Sequence, residues 1–247
     1  MKIEGSIALV TGSNRGIGRR FAEALLARGA AKVYATARTP EKIDIPGVET
    51  LQLDITDPAS VEAAAAVATD VTLLINNAGI STPTNFLTGS LADIRREMDT
   101  HFYGTLDVVR AFAPILGANG GGAIVNVLSA LSWFSYNGSN AYGAAKSAEW
   151  SLTNGIRLEL ESQGTLVTGL HLGAADTDIM AAHEYEGDLI DPAEVARLAL
   201  DGVENDAFEV VADDWSAMVK ASLAGEPGAF YRSIGMLGQE SEAAATR

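Results

Sequence analysis

Ile7-Ala8-Leu9-Val10-Thr11-Gly12-Ser13-Asn14-Arg15-Gly16-Ile17-Gly18 runs from four consecutive apolar residues into a turn holding three glycines. The apolar run has the length of a strand covered on both faces, and a helical pattern follows over 16–28. Glycine tolerates positive φ and close backbone approach, so such a turn offers amide donors and a helix N-terminus to a pyrophosphate. The same composition also serves as a ligand-free strand-to-helix turn, and its surroundings decide between the two.

Outward from that turn, β-rich runs alternate with helical patterns. Strands are predicted at Lys32-Val33-Tyr34-Ala35, Glu49-Thr50-Leu51-Gln52-Leu53, Val71-Thr72-Leu73-Leu74-Ile75, Ala123-Ile124-Val125-Asn126-Val127, Leu166-Val167-Thr168-Gly169-Leu170 and Phe208-Glu209-Val210-Val211-Ala212. Helices are predicted over 58–68, 90–116 and 140–162, and Pro192 restarts one. Strand-helix-strand repetition implies a doubly wound α/β fold, a parallel sheet with helices on both faces. Ligands in such sheets bind beyond the carboxyl ends of the strands. No linker or repeat divides the chain, so 1–247 reads as a single domain, with a mobile lid over about 176–190 and a frayed tail over about 238–247.

Bulk composition narrows the partners. A formal net charge of -15 opposes binding to nucleic acid or acidic membranes. No apolar run reaches the roughly 18 residues of a membrane span, and Met1-Lys2-Ile3-Glu4 leads into a strand rather than a signal-peptide pattern, which sets the expectation of a cytoplasmic protein. With no cysteine and three scattered histidines, no metal site is expected.

Against the acidic background, Arg15 in the turn and Arg38 at the end of the second strand stand out. In dinucleotide folds an acidic residue at that strand end binds the ribose of NAD; here Ala37 and Arg38 follow Thr36. Two guanidiniums suit a 2'-phosphate through forked, charge-assisted hydrogen bonds, so the expected cofactor is NADP(H). Farther on, Leu53-Asp54 and Asn76-Asn77-Ala78-Gly79 close strands at the ligand edge, and Val127-Leu128-Ser129 closes another. Tyr142 and Lys146 stand four apart on one helix face, with Ser129 thirteen residues before the tyrosine. A free phenol titrates near a pKa of about 10, so it needs nearby positive charge to exchange protons at neutral pH; Lys146 is placed to give it. Ser129 can bond the same substrate oxygen.

In these residues, taken in order, the chain resembles the short-chain dehydrogenase/reductase family over roughly residues 3–215. The resemblance implies a Rossmann-like sheet of seven parallel strands and hydride transfer between NADP(H) and a carbonyl or alcohol. Catalysis falls to Ser129, Tyr142 and Lys146, with Tyr142 passing the proton and Lys146 also holding the nicotinamide ribose. Expected cofactor contacts are Gly12, Ser13, Asn14, Arg15, Gly16, Ile17, Gly18, Arg38, Asp54, Ile55, Asn77, Ala78 and Gly79, then Tyr142 and Lys146, then Gly173, Ala175 and Thr177 near the nicotinamide. A homotetramer or homodimer through helices 90–116 and 140–162 is also implied.

Two places depart from the family pattern. Where relatives put the asparagine of Asn-x-x-Gly, this chain has His101 before Gly104. Its readings are a tolerated structural replacement, a titratable proton relay, or an inactivating change. After the sixth strand, Pro-Gly is replaced by Leu172-Gly173. His171 reads as a core residue, and His183 as either a substrate-side or a surface residue. Trp133, Phe134, Tyr136, Met180 and Tyr185 form either an aromatic-rich wall for a hydrophobic ketone, aldehyde or alcohol, or packing against neighbouring helices or a second subunit. The leading function is an NADPH-dependent carbonyl reductase working reversibly as an alcohol dehydrogenase; the rival is an NADP(H)-binding regulator that has lost turnover. An epimerase or dehydratase of the extended relatives finds little room in the short C-terminal region.

Overall fold

The computed structural model describes residues 1–181, 185 and 187–238. Seven parallel strands form one sheet: β1 Ile7–Val10, β2 Lys32–Ala37, β3 Glu49–Gln52, β4 Leu73–Asn76, β5 Ala123–Val127, β6 Leu166–His171 and β7 Glu209–Val211. Their spatial order is β3-β2-β1-β4-β5-β6-β7. The helices are α1 Gly16–Ala27, α2 Pro58–Val67, α3 Leu91–Met98, α4 Thr105–Ala118, α5 Asn140–Glu159, α6 Asp178–Ala181, α7 Pro192–Glu204, α8 Asp214–Ser222 and α9 Pro227–Ser233. No helix among the described residues is long and apolar enough to cross a membrane.

The unbroken apolar runs follow from burial on both faces. Alternate strand residues divide between two cores: Ala8, Val10, Leu73, Ile75 and Val125 pack with Phe21, Leu25, Val195 and Leu200. Leu9, Leu74, Ile124 and Val167 pack with Val61, Val108, Phe112, Leu116 and Ile156 on the other face. The strand order reverses direction of growth between β1 and β4, which opens a crevice beyond their carboxyl ends. Thr11 ties that junction. Its backbone N–H donates to the Ile75 carbonyl at 3.0 Å, and its hydroxyl accepts from the N–H groups of Asn77 and Ala78, both at 2.9 Å.

The helix predicted as continuous over 90–116 is interrupted by a π-helical turn at Asp99–Gly104. Thr100 returns its hydroxyl to the Arg96 carbonyl at 2.8 Å, and Gly104 lies so close to the Ile55 carbonyl that a Cβ would come within 3.0 Å. The wider turn brings His101 inward and keeps the backbone close to Ile55. The second difference is C-terminal: α8 and α9 follow β7, started by the side chains of Asp213 and Glu226, which accept from backbone N–H groups of the first turn. The polar faces of both helices hide the weak periodicity that marks them. Of the predicted lid, 178–181 form α6 and Ala175 bridges Ile190, while His183 and the tail beyond Gly238 lie outside the described residues.

Gly18 is required by packing: a Cβ there would sit 2.3 Å from the Gly12 carbonyl oxygen and 2.4 Å from the Asn77 side-chain amide. Gly18→Ala is expected to destabilise the fold by about 1–3 kcal/mol, read as a lower urea midpoint; an unchanged midpoint would contradict this packing.

Candidate active site

A cleft of about 510 Å³ runs over the carboxyl edge of the sheet, from the end of β2 to α6. Its first wall is the turn after β1, where Gly12 and Gly16 hold φ of +69° and +55°. Asn14, Arg15 and Ile17 line it with them, and Asn77, Ala78 and Gly79 line it from β4. Ser13 is turned away: it is buried, and its hydroxyl donates to the Val10 carbonyl at 2.7 Å and accepts from the Thr36 N–H at 3.3 Å. Ser13 therefore pins the turn to β2, and Gly18 permits close packing. Neither lines the cleft, in contrast to the sequence expectation.

At the β2 end, Arg38, Asp54 and Ile55 line the cleft as expected, joined by Thr39, Lys42 and Thr56. Lys42 makes a third cation beside Arg15 and Arg38. Its signal in the sequence was its place two residues after Pro40, in a short turn following β2. Arg15 pairs with Asp178 of α6 at 3.0 Å across the cleft mouth, both side chains well exposed. Gly173, Ala175 and Thr177 line the opposite end beneath α6.

Ser129, Tyr142 and Lys146 come together in this cleft. Ser129 ends the run from β5 and accepts from the Leu131 N–H at 3.1 Å, which starts a short turn and fixes its side chain toward α5. Tyr142 is half-buried, and its phenol faces the Ser129 hydroxyl. Burial pushes that phenol above its ordinary value, the Lys146 charge and the Ser129 hydroxyl pull it down, and Glu149 and Glu97 push it up again. Lys146 is buried, and its ammonium donates to the Val127 carbonyl and to Glu149 Oε2, both at 2.7 Å. Burial alone would lower this lysine; the charge of Glu149, followed by Tyr142, outweighs it and holds the ammonium above its ordinary value. Its Nζ stands 5.9 Å from the centre of the Tyr142 ring.

His101 lines the cleft and is 1% exposed. Its ring meets the Tyr142 ring edge-on, with centroids 5.3 Å apart. Nε2 lies 2.9 Å from the Ile80 carbonyl oxygen and 3.3 Å from Glu97 Oε2, and Nδ1 lies 3.7 Å from Glu149 Oε2. Gly79 leaves room for the ring, since a Cβ there would stand 2.7 Å from His101 Cε1. Sequence reading missed Glu97 and Glu149. Their helical spacings were the available signal: Glu97 is four before His101, and Glu149 three after Lys146.

Among the five substrate-side residues, only Met180 lines the cleft. Trp133 stacks on His171, with centroids 3.8 Å apart and rings 16° from parallel. Phe134 is buried against Trp215 and Phe230 of α8 and α9. Tyr136 and Tyr185 are exposed and outside the lining. The C-terminal helices, absent from the sequence reading, supply the packing partners that draw Phe134 away from the cleft. The wall near Tyr142 is aliphatic instead, from Ile80, Leu128, Leu172, Ile179 and Met180.

His171 is fully buried, as a core residue should be, and its Nδ1 lies 3.1 Å from the Ser129 carbonyl oxygen. Burial pushes its pKa down to about 4. An unfolded chain with an ordinary histidine binds more protons between about pH 6.5 and 4, so stability falls as pH falls through that window. The loss is about 3 kcal/mol, complete below both values. His171→Phe should show a flatter stability profile between those pH values in denaturant titrations; the same slope as the parent would assign the loss to other groups.

A family model described as short chain dehydrogenase matches residues 6–186. A crystal structure of a short chain dehydrogenase from Burkholderia cenocepacia in complex with NADP is 36% identical, with a TM-score of 0.90, over 97% of this chain and 100% of that one. The 3-oxoacyl-(acyl-carrier-protein) reductase of Vibrio cholerae is 31% identical over 79% of this chain and 88% of its own length. An NADPH-dependent 1-acyldihydroxyacetone phosphate reductase of Schizosaccharomyces pombe is 35% identical over 70% of this chain and 61% of its own length.

Proposed function

Because the chain belongs to the short-chain dehydrogenase family of oxidoreductases, we propose that it is an NADPH-dependent reductase of aliphatic ketones or aldehydes, reversible as an alcohol dehydrogenase. One observation carries this reading: Ser129 and Lys146, both buried, and the half-buried Tyr142 open on the same cleft whose far end holds Arg15, Arg38 and Lys42. The reductase names of the relatives and the NADP in the Burkholderia complex agree with it.

The donor set fits a phosphorylated dinucleotide. The turn from Gly12 to Gly16 offers backbone N–H groups to the pyrophosphate, and three cations with no acid at the end of β2 suit the 2'-phosphate. Asp54 and Ile55, which line the cleft after β3, are assigned to the adenine, and Gly173, Ala175 and Thr177, which line it after β6, to the nicotinamide. Bound NADPH supplies the hydride. Ser129 and Tyr142 hold the carbonyl oxygen, and Tyr142 donates its proton as negative charge develops there. Lys146 has three N–H donors and spends two on Val127 and Glu149, leaving one for the ribose. The aliphatic wall of Ile80, Leu128, Leu172, Ile179 and Met180 favours an apolar substituent on the carbonyl, and among the described residues Trp133, Phe134, Tyr136 and Tyr185 do not join it.

The rival, an NADP(H)-binding regulator without turnover, draws on His101 and on the carboxylate that takes up part of the Lys146 charge. The two readings separate by experiment. With NADPH and a panel of aliphatic ketones and aldehydes, the parent should consume NADPH, and Tyr142→Phe should lose about 10²-fold or more in rate while still binding NADPH. Tight binding with no turnover in either protein would establish the rival. Arg38→Asp should weaken NADPH binding about tenfold or more and move preference toward NADH; unchanged preference would remove Arg38 from the phosphate site.

A further inference from the structure

Two carboxylates are buried behind the catalytic set, Glu97 at 0% and Glu149 at 2% exposure, and neither lines the cleft. Buried carboxylates are costly and add little net stability even when paired. Building on the reductase reading above, we propose that Glu149 is a positioning residue that fixes Lys146 and extends to higher pH the range in which Tyr142 acts as a proton donor.

The geometry leaves Glu149 little freedom. Oε2 accepts from Lys146 Nζ at 2.7 Å, one helical turn away, while Oε1 accepts from the Thr105 hydroxyl of α4 at 3.2 Å. The carboxylate is therefore clamped between two helices and cannot turn to solvent. At that distance it offsets much of the ammonium's field, and the phenol of Tyr142 experiences the remainder. A second carboxylate acts in the same sense from α3. Glu97 Oε1 is held by the Thr82 N–H at 2.5 Å and the Thr82 hydroxyl at 2.7 Å, and its Oε2 faces His101.

Tyr142 is surrounded by Ser129 at the end of β5, Lys146 and Glu149 on α5, His101 in the π turn and Glu97 on α3. Lys146 and Ser129 favour its phenolate; Glu149 and Glu97 disfavour it. The His101 ring sits between the two carboxylates and meets the Tyr142 ring edge-on. In reduction, hydride passes from NADPH to the carbonyl carbon and the Tyr142 proton passes to its oxygen, giving alcohol and NADP⁺; solvent then returns the proton. A phenol kept protonated to higher pH supports this step over a wider range. Oxidation, in which Tyr142 must accept a proton, moves toward alkaline pH.

Glu149→Gln keeps the size of the side chain and a carbonyl for Lys146 but removes the charge. Tyrosinate absorbance titrations, each differenced against the same protein carrying Tyr142→Phe, isolate the Tyr142 step without any substrate. The step should fall by about one pH unit in Glu149→Gln, a tenfold change in proton affinity, and by less in Glu97→Gln. The alkaline limb of NADPH-dependent reduction should move down equally, and Glu149→Asp should restore the parent behaviour. An unmoved or raised Tyr142 step in a Glu149→Gln protein that melts like the parent would overturn the inference, a rise meaning that Lys146 loses its charge together with Glu149. Were Glu149→Gln not to fold, an unmoved step in Glu97→Gln would overturn the charge mechanism. Failure of the reductase reading is separate: it would show as NADPH binding with no turnover in the parent, an outcome that leaves the substrate-free Tyr142 titration readable.

Discussion

The junction of β1 with β4 is the constraint on which the rest of the cleft depends. Parallel strands that depart in opposite directions from a common pair leave a crevice only if the two strand ends remain side by side. Thr11 enforces this with a backbone bond to Ile75 and a hydroxyl shared by two N–H groups of the next strand's exit. Asn77 returns the tie, donating from its side-chain amide to the Thr11 and Gly12 carbonyls at 2.9 and 3.2 Å. This doubly bonded corner requires Gly18, because any side chain there would occupy the space of the amide. A loose corner would separate the phosphate end of the cleft from the end that carries Tyr142.

A second requirement follows from placing an ammonium in the interior. Lys146 must be buried to reach both the sheet edge and the phenol, and burial discharges an unpaired lysine. The Val127 carbonyl and Glu149 prevent that, and the consequence passes from packing to chemistry. The group that keeps the lysine charged also limits how much of its charge reaches Tyr142. The π turn belongs to the same arrangement. Within it His101 lies against Tyr142 and between Glu97 and Glu149.

The sheet was legible because its strands are buried on both faces and therefore read as continuous apolar runs; Ile7–Val10 and Ala123–Val127 are found at their predicted bounds. The cleft was legible for a related reason: glycines with positive φ and the Tyr142-Lys146 spacing are local features that a sequence displays directly. Ser13 shows where local reading stops, since a hydroxyl inside a phosphate-type turn looks like a ligand contact until the strand it bonds is in place. Trp133 and Phe134 follow the packing alternative, which sequence could not choose over a substrate wall because their partners come from distant segments: His171 on β6, and Trp215 and Phe230 on α8 and α9. The charge cluster was hidden by the same distance, as Glu97 and Glu149 meet at His101 only through the packing of α3 on α5.

The two ends of the cleft are joined through a weak contact. Arg15 of the turn pairs with Asp178 of α6, and both side chains are more than half exposed. Exposed pairs of this kind contribute little, about 0–1 kcal/mol, whereas a phosphate can take a guanidinium through two parallel charge-assisted bonds. On the proposed reading, a phosphorylated cofactor would take Arg15 from Asp178 at little cost, freeing a carboxylate beside Ile179 and Met180 in the cleft wall. The proposed phosphate site and the position of the aliphatic wall thus share one arginine.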